Sequence, residues 1–198
     1  MKLTIPRLQQ FYDQLKRSME DCTIIIAGGA VRDALNGREV KDLDVYIQCG
    51  LDWDKDPCDV AEEVESVIFT WDKQFFSKGK CLSEEMVDNG SYKGISIQTV
   101  WHWDHACGDL PLDLIFVNRD PALVVKQEFD LGICQAWVGH YGLKTYPAYW
   151  TDSLNRTITY LRPTASASLR VKSQEHAGRI LTKYPGWKCR GITPINPT

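Results

Sequence analysis

Apolar and polar positions recur along this chain with periods that switch between helix and strand. Leu8, Phe11, Leu15 and Met19 form one stripe and predict an amphipathic helix over residues 6–21. Residues 22–27, CTIIIA, are apolar on both faces and predict a central strand. A short helix is expected over 30–36, after Gly28-Gly29, and a second strand over 43–48, LDVYIQ. Asp56-Pro57 supplies an N-cap and a first helical position for a helix over 57–69. Residues 71–90 are polar and glycine-bearing and predict irregular chain. Strands are expected over 92–103 and 111–117, and a short helix over 121–127. The apolar stretch 129–138 fits either a strand or a buried helix, and 156–161 reads as a strand. A basic helix runs from Ser166 to Lys183, and the Pro/Gly-rich end is expected to be loosely ordered.

This order predicts an α/β (α+β) domain over residues 1–140, a central mixed sheet flanked by helices, with a C-terminal extension over 141–198 that carries the basic helix. The chain has 198 residues and 43% apolar content, enough to bury one core. It contains no run of eighteen apolar residues, so no membrane span or membrane partner is expected. The N-terminus lacks a signal-peptide core. Seven cysteines occur without a Cys-x-x-Cys pair, which suits a reducing cytoplasm without disulfides; Cys22 and Cys134 read as small buried hydrophobes. Net charge is −3 but uneven: residues 1–150 carry 15 Lys and Arg against 24 Asp and Glu, and residues 151–198 carry 8 against 2. An acidic front and a basic tail suit cations in one part and phosphates in another.

Candidate chemistry concentrates in residues 24–48, IIIAGGAVRDALNGREVKDLDVYIQ. Glycines at a strand-to-helix turn let backbone approach a ligand, and the amides that open the next helix favour an anion. Arg32 and Arg38 add positive charge. Asp42 and Asp44, two apart in an extended chain, put both carboxylates on one face. Such a pair repels itself unless a cation lies between, and a hard divalent ion such as Mg²⁺ fits oxygen donors. Asp113, inside the apolar run PLDLIFV, is a third carboxylate. Three carboxylates on neighbouring strands suit a two-metal site for phosphoryl or nucleotidyl transfer, with metals about 3.5–4 Å apart.

The pattern Gly28-Gly29, Val31-Arg32-Asp33, Gly37-Arg38 and Lys41-Asp42-x-Asp44 resembles the head-domain signature of CCA-adding enzymes and bacterial poly(A) polymerases, in the polymerase-beta nucleotidyltransferase superfamily. The resemblance implies a nucleotidyltransferase fold in which Asp42, Asp44 and Asp113 are catalytic and hold two Mg²⁺, with Mn²⁺ as a substitute. It implies nucleotide contacts from Gly28, Gly29, Arg32, Asp33, Arg38, Lys41, Asp130 and Arg179, with ATP or CTP as substrate and RNA as acceptor. Head-only members of this kind are often phage-encoded. The family's ribose motif, Arg-Arg-Asp-Phe-Thr-Ile-Asn-Ala, survives here in E128-F-D130-L-G-I133-C-Q-A136 as Asp130 and Ile133; its arginines and asparagine are absent. The neck motif Glu-Asp-x-x-Arg is also absent.

Arg170, Lys172, Arg179, Lys183, Lys188 and Arg190 offer cations for a triphosphate or an RNA backbone, with Tyr184 and Trp187 among them. His102, His105 and Cys107 offer zinc ligands, but no second cluster matches their spacing, and an aromatic strand end near the cleft is the expectation. Three functions follow: transfer of NMP to an RNA 3′ end, the same chemistry on a protein or small molecule, or a non-catalytic nucleotide-binding module.

Overall fold

The computed structural model describes residues 3–49, 57–71, 80–81, 97–104 and 110–195. Helix α1, Ile5–Ser18, buries Leu8, Phe11, Tyr12 and Leu15 along the expected stripe. Each such apolar side chain contributes about 1.5–3 kcal/mol on full burial. The Lys16 ammonium finishes the helix by donating to the carbonyls of Glu20 and Cys22. Strand β1, Thr23–Ala27, is buried from Ile24 onward, and α2, Gly29–Leu35, follows at once. β2 is Leu43–Gln48, α3 Pro57–Trp71, β3 Lys80–Cys81, β4 Ile97–Trp103 and β5 Leu112–Val117. Helix α4, Pro121–Gln127, starts where the Asp120 carboxylate accepts from the Ala122 amide at 2.8 Å. β6 is Ala136–Gly139, β7 Gly142–Thr145, α5 Pro147–Asn155, β8 Thr157–Thr159, α6 Ala167–Lys183 and β9 Lys188–Arg190.

Seven strands form one mixed sheet in the order β3-β4-β5-β2-β1-β6-β7. β1 is antiparallel to both β2 and β6, whereas β2 is parallel to β5. β1 and β2 lie inside the sheet, which is why both read as nearly continuous apolar runs. No helix among the described residues is long and apolar enough to cross a membrane. Cys22, Cys49, Cys134 and Cys189 form no disulfide, and the Cys22 thiol lies 3.7 Å from that of Cys49.

Three expectations change. The ambiguous 129–138 stretch is neither one strand nor a helix: a 3₁₀ turn over Gly132–Cys134 precedes β6. A Cβ on Gly132 would meet Asp152 Oδ2 at 2.7 Å, so glycine there lets α5 pack against the turn. The main sheet also continues past residue 140, because β7 pairs with β6 as a hairpin. Residues 186–195 are not loose: β9 pairs in parallel with β8, Ile192 is buried, and the Ile195 amide donates to the Gln174 carbonyl at 3.0 Å. Much of 71–90, residues 92–96 and the Asp56 cap lie outside the described residues.

Candidate active site

A cleft of about 770 Å³ opens between the sheet and α6. Its sheet wall is set by register. Ala27 lies opposite Asp44, and Asp44 lies beside Asp113. The end of β1, the start of β2 and the start of β5 therefore meet at one point. Gly28 has φ +74, and a Cβ there would meet Asp44 Oδ2 at 2.9 Å. Glycine is required on both counts. A Cβ on Gly29 would lie 3.4 Å from Asp42 Oδ1. The glycine turn is thus threaded against two carboxylates.

Burial, then Asp42, then Asp113 push the Asp44 carboxyl well above the ordinary carboxylate range; Arg32 and His176 oppose them. Clustered like charges of this kind are relieved either by protonation or by a nearby cation. Asp113 is more committed, since its Oδ1 lies 2.5 Å from His102 Nδ1, and His102 Nε2 lies 2.9 Å from Asp104 Oδ1. Burial alone would lower the His102 pKa, but the bonds to Asp113 and Asp104 raise it. Among the described residues no three His, Cys, Asp or Glu side chains stand arranged to hold a metal ion. The carboxylates at the glycine turn are Asp42 and Asp44, with Asp113 beside Asp44 in register.

The helix wall has the opposite charge. Lys172, His176, Arg179 and Lys183 recur at helical spacing along α6 and line the cleft, joined by Arg162 from the preceding loop. His176 Nδ1 lies 3.1 Å from Asp130 Oδ1. Burial would lower the His176 pKa, but Asp130 and then Cys134 carry it up to about 10. Burial would raise Asp130, and the His176 charge holds it below the ordinary value instead. Arg32 Nη1 donates to Cys134 Sγ at 3.4 Å, so guanidinium and thiol share the cleft floor. Tyr46 lies on the same floor, its ring 5.7 Å from that of Phe129.

Asp33 and Arg38, expected at the nucleotide, do not line the cleft. Asp33 is 1% exposed and ties α2 to α6. It accepts from Arg32 Nε at 2.7 Å, Lys183 Nζ at 2.7 Å and Tyr184 Oη at 2.8 Å. Arg38 lies over the Tyr184 ring, 5.4 Å from its centroid. Gly28, Gly29, Arg32, Lys41, Asp130 and Arg179 do line it. His105 and Cys107 fall outside the described residues, while His102 belongs to Asp113. Cys134, expected to be only a small buried hydrophobe, lines the cleft floor, and so do His176, Arg162 and Tyr46, which the sequence did not mark as site residues. The i, i+4, i+7 pattern from Lys172 through His176 to Arg179 was the signal available for His176.

The architecture is shared with larger enzymes. A structure titled tRNA-processing enzyme, apo form I, superposes with a TM-score of 0.59 at 18% identity, covering 92% of this chain and 42% of the other. A CCA-adding enzyme complexed with ATP gives 0.59 at 16% identity, covering 96% and 40%. The Thermotoga maritima CCA-adding enzyme complexed with tRNA gives 0.57 at 13% identity, covering 88% and 37%. The chain thus spans about two fifths of the length of these proteins, and the likeness establishes a nucleotidyltransferase-like fold. No curated protein sequence matches the chain. Residues 6–156 match the model of a family described as Gabija anti-defense 2 family protein.

Proposed function

The chain belongs to the Gabija anti-defense 2 family, and from that premise we propose a nucleotidyltransferase that moves NMP from an NTP, ATP or CTP first, to an acceptor hydroxyl. The supporting observation is the threading of Gly28-Gly29 against Asp42 and Asp44, facing the cationic stripe of α6. Such a cleft offers anion donors and cation ligands on opposite walls, which is what a metal-chelated triphosphate requires. The Gly28-Gly29 turn, Arg32, Lys41 and Arg179 would hold the phosphates, and Asp130 the nucleoside side. Asp42 and Asp44 would hold Mg²⁺ or Mn²⁺, with Asp113 beside them. The metal, when bound, lowers the pKa of the attacking hydroxyl and neutralises charge on the leaving group.

In the reaction the acceptor oxygen bonds to the α-phosphorus. The bond from that phosphorus to the β-phosphate bridging oxygen breaks, pyrophosphate leaves, and the hydroxyl proton passes to solvent. Arg32 is suited to fixed positioning, because Asp33 holds its guanidinium. Removal of such charge stabilisers costs about 10²–10³ in turnover.

The preferred acceptor is an RNA 3′ end, supported by the basic extension. The second reading is the same chemistry on a protein or small-molecule acceptor. The experiment is transfer of label from NTPs radioactive at the α-phosphate, in cell extract, by wild type and by Asp42→Asn/Asp44→Asn. Label that needs the aspartates and falls to nuclease supports the RNA reading. Label that needs them and falls only to protease supports the second. NTP binding without pyrophosphate release overturns transfer altogether.

A further inference from the structure

The extension's cations fall into two sets. Arg162, Lys172, Arg179 and Lys183 line the cleft. Arg156, Arg170, Lys188 and Arg190 do not, and all four are exposed. The β8–β9 register sets Lys188 beside Thr157 and Arg190 beside Thr159, so both cations project from one face of the ribbon. The Lys188 amide donates to the Arg156 carbonyl at 3.1 Å, which brings Arg156 to the same edge. Arg170 reaches over from α6: its Nη2 donates to the Gly191 carbonyl at 3.3 Å, and its guanidinium lies 5.6 Å from the Tyr160 ring centroid. Beyond Asp152, which is buried, the sequence supplies one acidic residue, Glu175. Among the described residues no ion pair engages Arg156, Lys188 or Arg190. Backbone pairing thus holds like charges together without local compensation, and such a surface attracts a polyanion.

We propose that Arg156, Arg170, Lys188 and Arg190 form a docking surface for the backbone of a single-stranded RNA, leading its 3′ end into the cleft. The choice of RNA rests on the transfer reading above. The patch adjoins the cleft rim through α6, because Arg170 follows Leu169 and precedes Lys172 by two positions, and both of those line the cleft. Guanidinium forks suit phosphate oxygens. The Arg170 plane is fixed by Tyr160 and Gly191, so little freedom is lost on contact.

The test is binding of a fluorescent single-stranded RNA, followed by anisotropy across a salt series, to wild type and to Arg156→Gln/Lys188→Gln/Arg190→Gln. These side chains are exposed, and unchanged thermal unfolding verifies the fold. Three lost phosphate contacts should lower the slope of log affinity against log salt by about 2, and lower affinity on the order of a hundredfold at about 0.1 M salt. NTP binding, measured calorimetrically, should stay at the wild-type level. Equal RNA affinity in wild type and variant overturns this surface and leaves the transfer reading intact. Tighter binding of an acidic polypeptide than of RNA also overturns it. RNA binding through the patch in a protein that transfers no label leaves the surface standing and overturns the enzymatic reading alone.

Discussion

The two walls of the cleft treat their charges in opposite ways. On the sheet wall, Asp42 and Asp44 converge with Asp113, which His102 holds, and Asp44 is driven up by burial and by its carboxylate neighbours. On the helix wall, each buried charge has a partner. Asp33 holds Arg32 and Lys183, and Asp130 holds His176. Local rules of charge pairing are broken where a ligand is to complete them and obeyed where two elements must be fastened. The sheet wall is therefore expected to cost stability and carry function. The fastenings of the helix wall are expected to carry stability and position its cations.

The largest expected effect comes from breaking a fastening. Asp33→Ala leaves the Arg32 charge buried without its carboxylate and frees Lys183 and Tyr184. It should cost about 3–5 kcal/mol, lowering Tm by roughly 10 °C in thermal denaturation. Asp44→Asn is the converse. Label transfer should fall at least a hundredfold, about 2.7 kcal/mol of transition-state stabilisation, while Tm stays level or rises as repulsion is relieved.

The Asp130–His176 pair gives a smaller, pH-dependent effect. The His176 pKa is raised from 6.5 to about 10, so its contribution is full below about 6.5 and is lost as pH rises toward 10. Asp130 is lowered from 3.8, so its contribution is present above that value and is lost as pH falls below it. Denaturant titrations should show wild type exceeding His176→Gln most between about pH 4 and 6.5, with the gap closing on either side. The smallest effect belongs to Arg38→Ala. An exposed cation over a ring contributes about 0.5–1 kcal/mol, and calorimetric NTP affinity should be unchanged because Arg38 lies outside the cleft.

The difference between the walls also explains what the sequence made legible. Gly28-Gly29, Asp42 and Asp44 fall within 17 consecutive residues, and a period of two predicts that both carboxylates share a face. Asp113 was readable because a carboxylate inside an apolar strand is costly unless it has a partner. The helix wall was readable only in part. The basic stripe of α6 was visible, but the side it turns to the sheet depends on Asp33 meeting residues 150 and 151 positions away. Such non-local pairing leaves no mark in spacing. For the same reason Asp33 looked like a ligand-binding residue, although it is a clamp. The parallel pairing of β8 with β9 escaped notice because each strand has only three residues. Helix α5 carried a usable sign, Pro147 at its first turn.

The central claim is that both walls close on one metal-chelated triphosphate. It is tested most directly by calorimetric titration of a non-hydrolysable ATP or CTP analogue, with and without Mg²⁺. Wild type and Asp42→Asn/Asp44→Asn should be compared at matched Tm. The account predicts saturable binding by wild type that strengthens with Mg²⁺, and loss of the Mg²⁺-dependent part in the variant. Binding that is equal in the two proteins, or indifferent to Mg²⁺ in wild type, would contradict it.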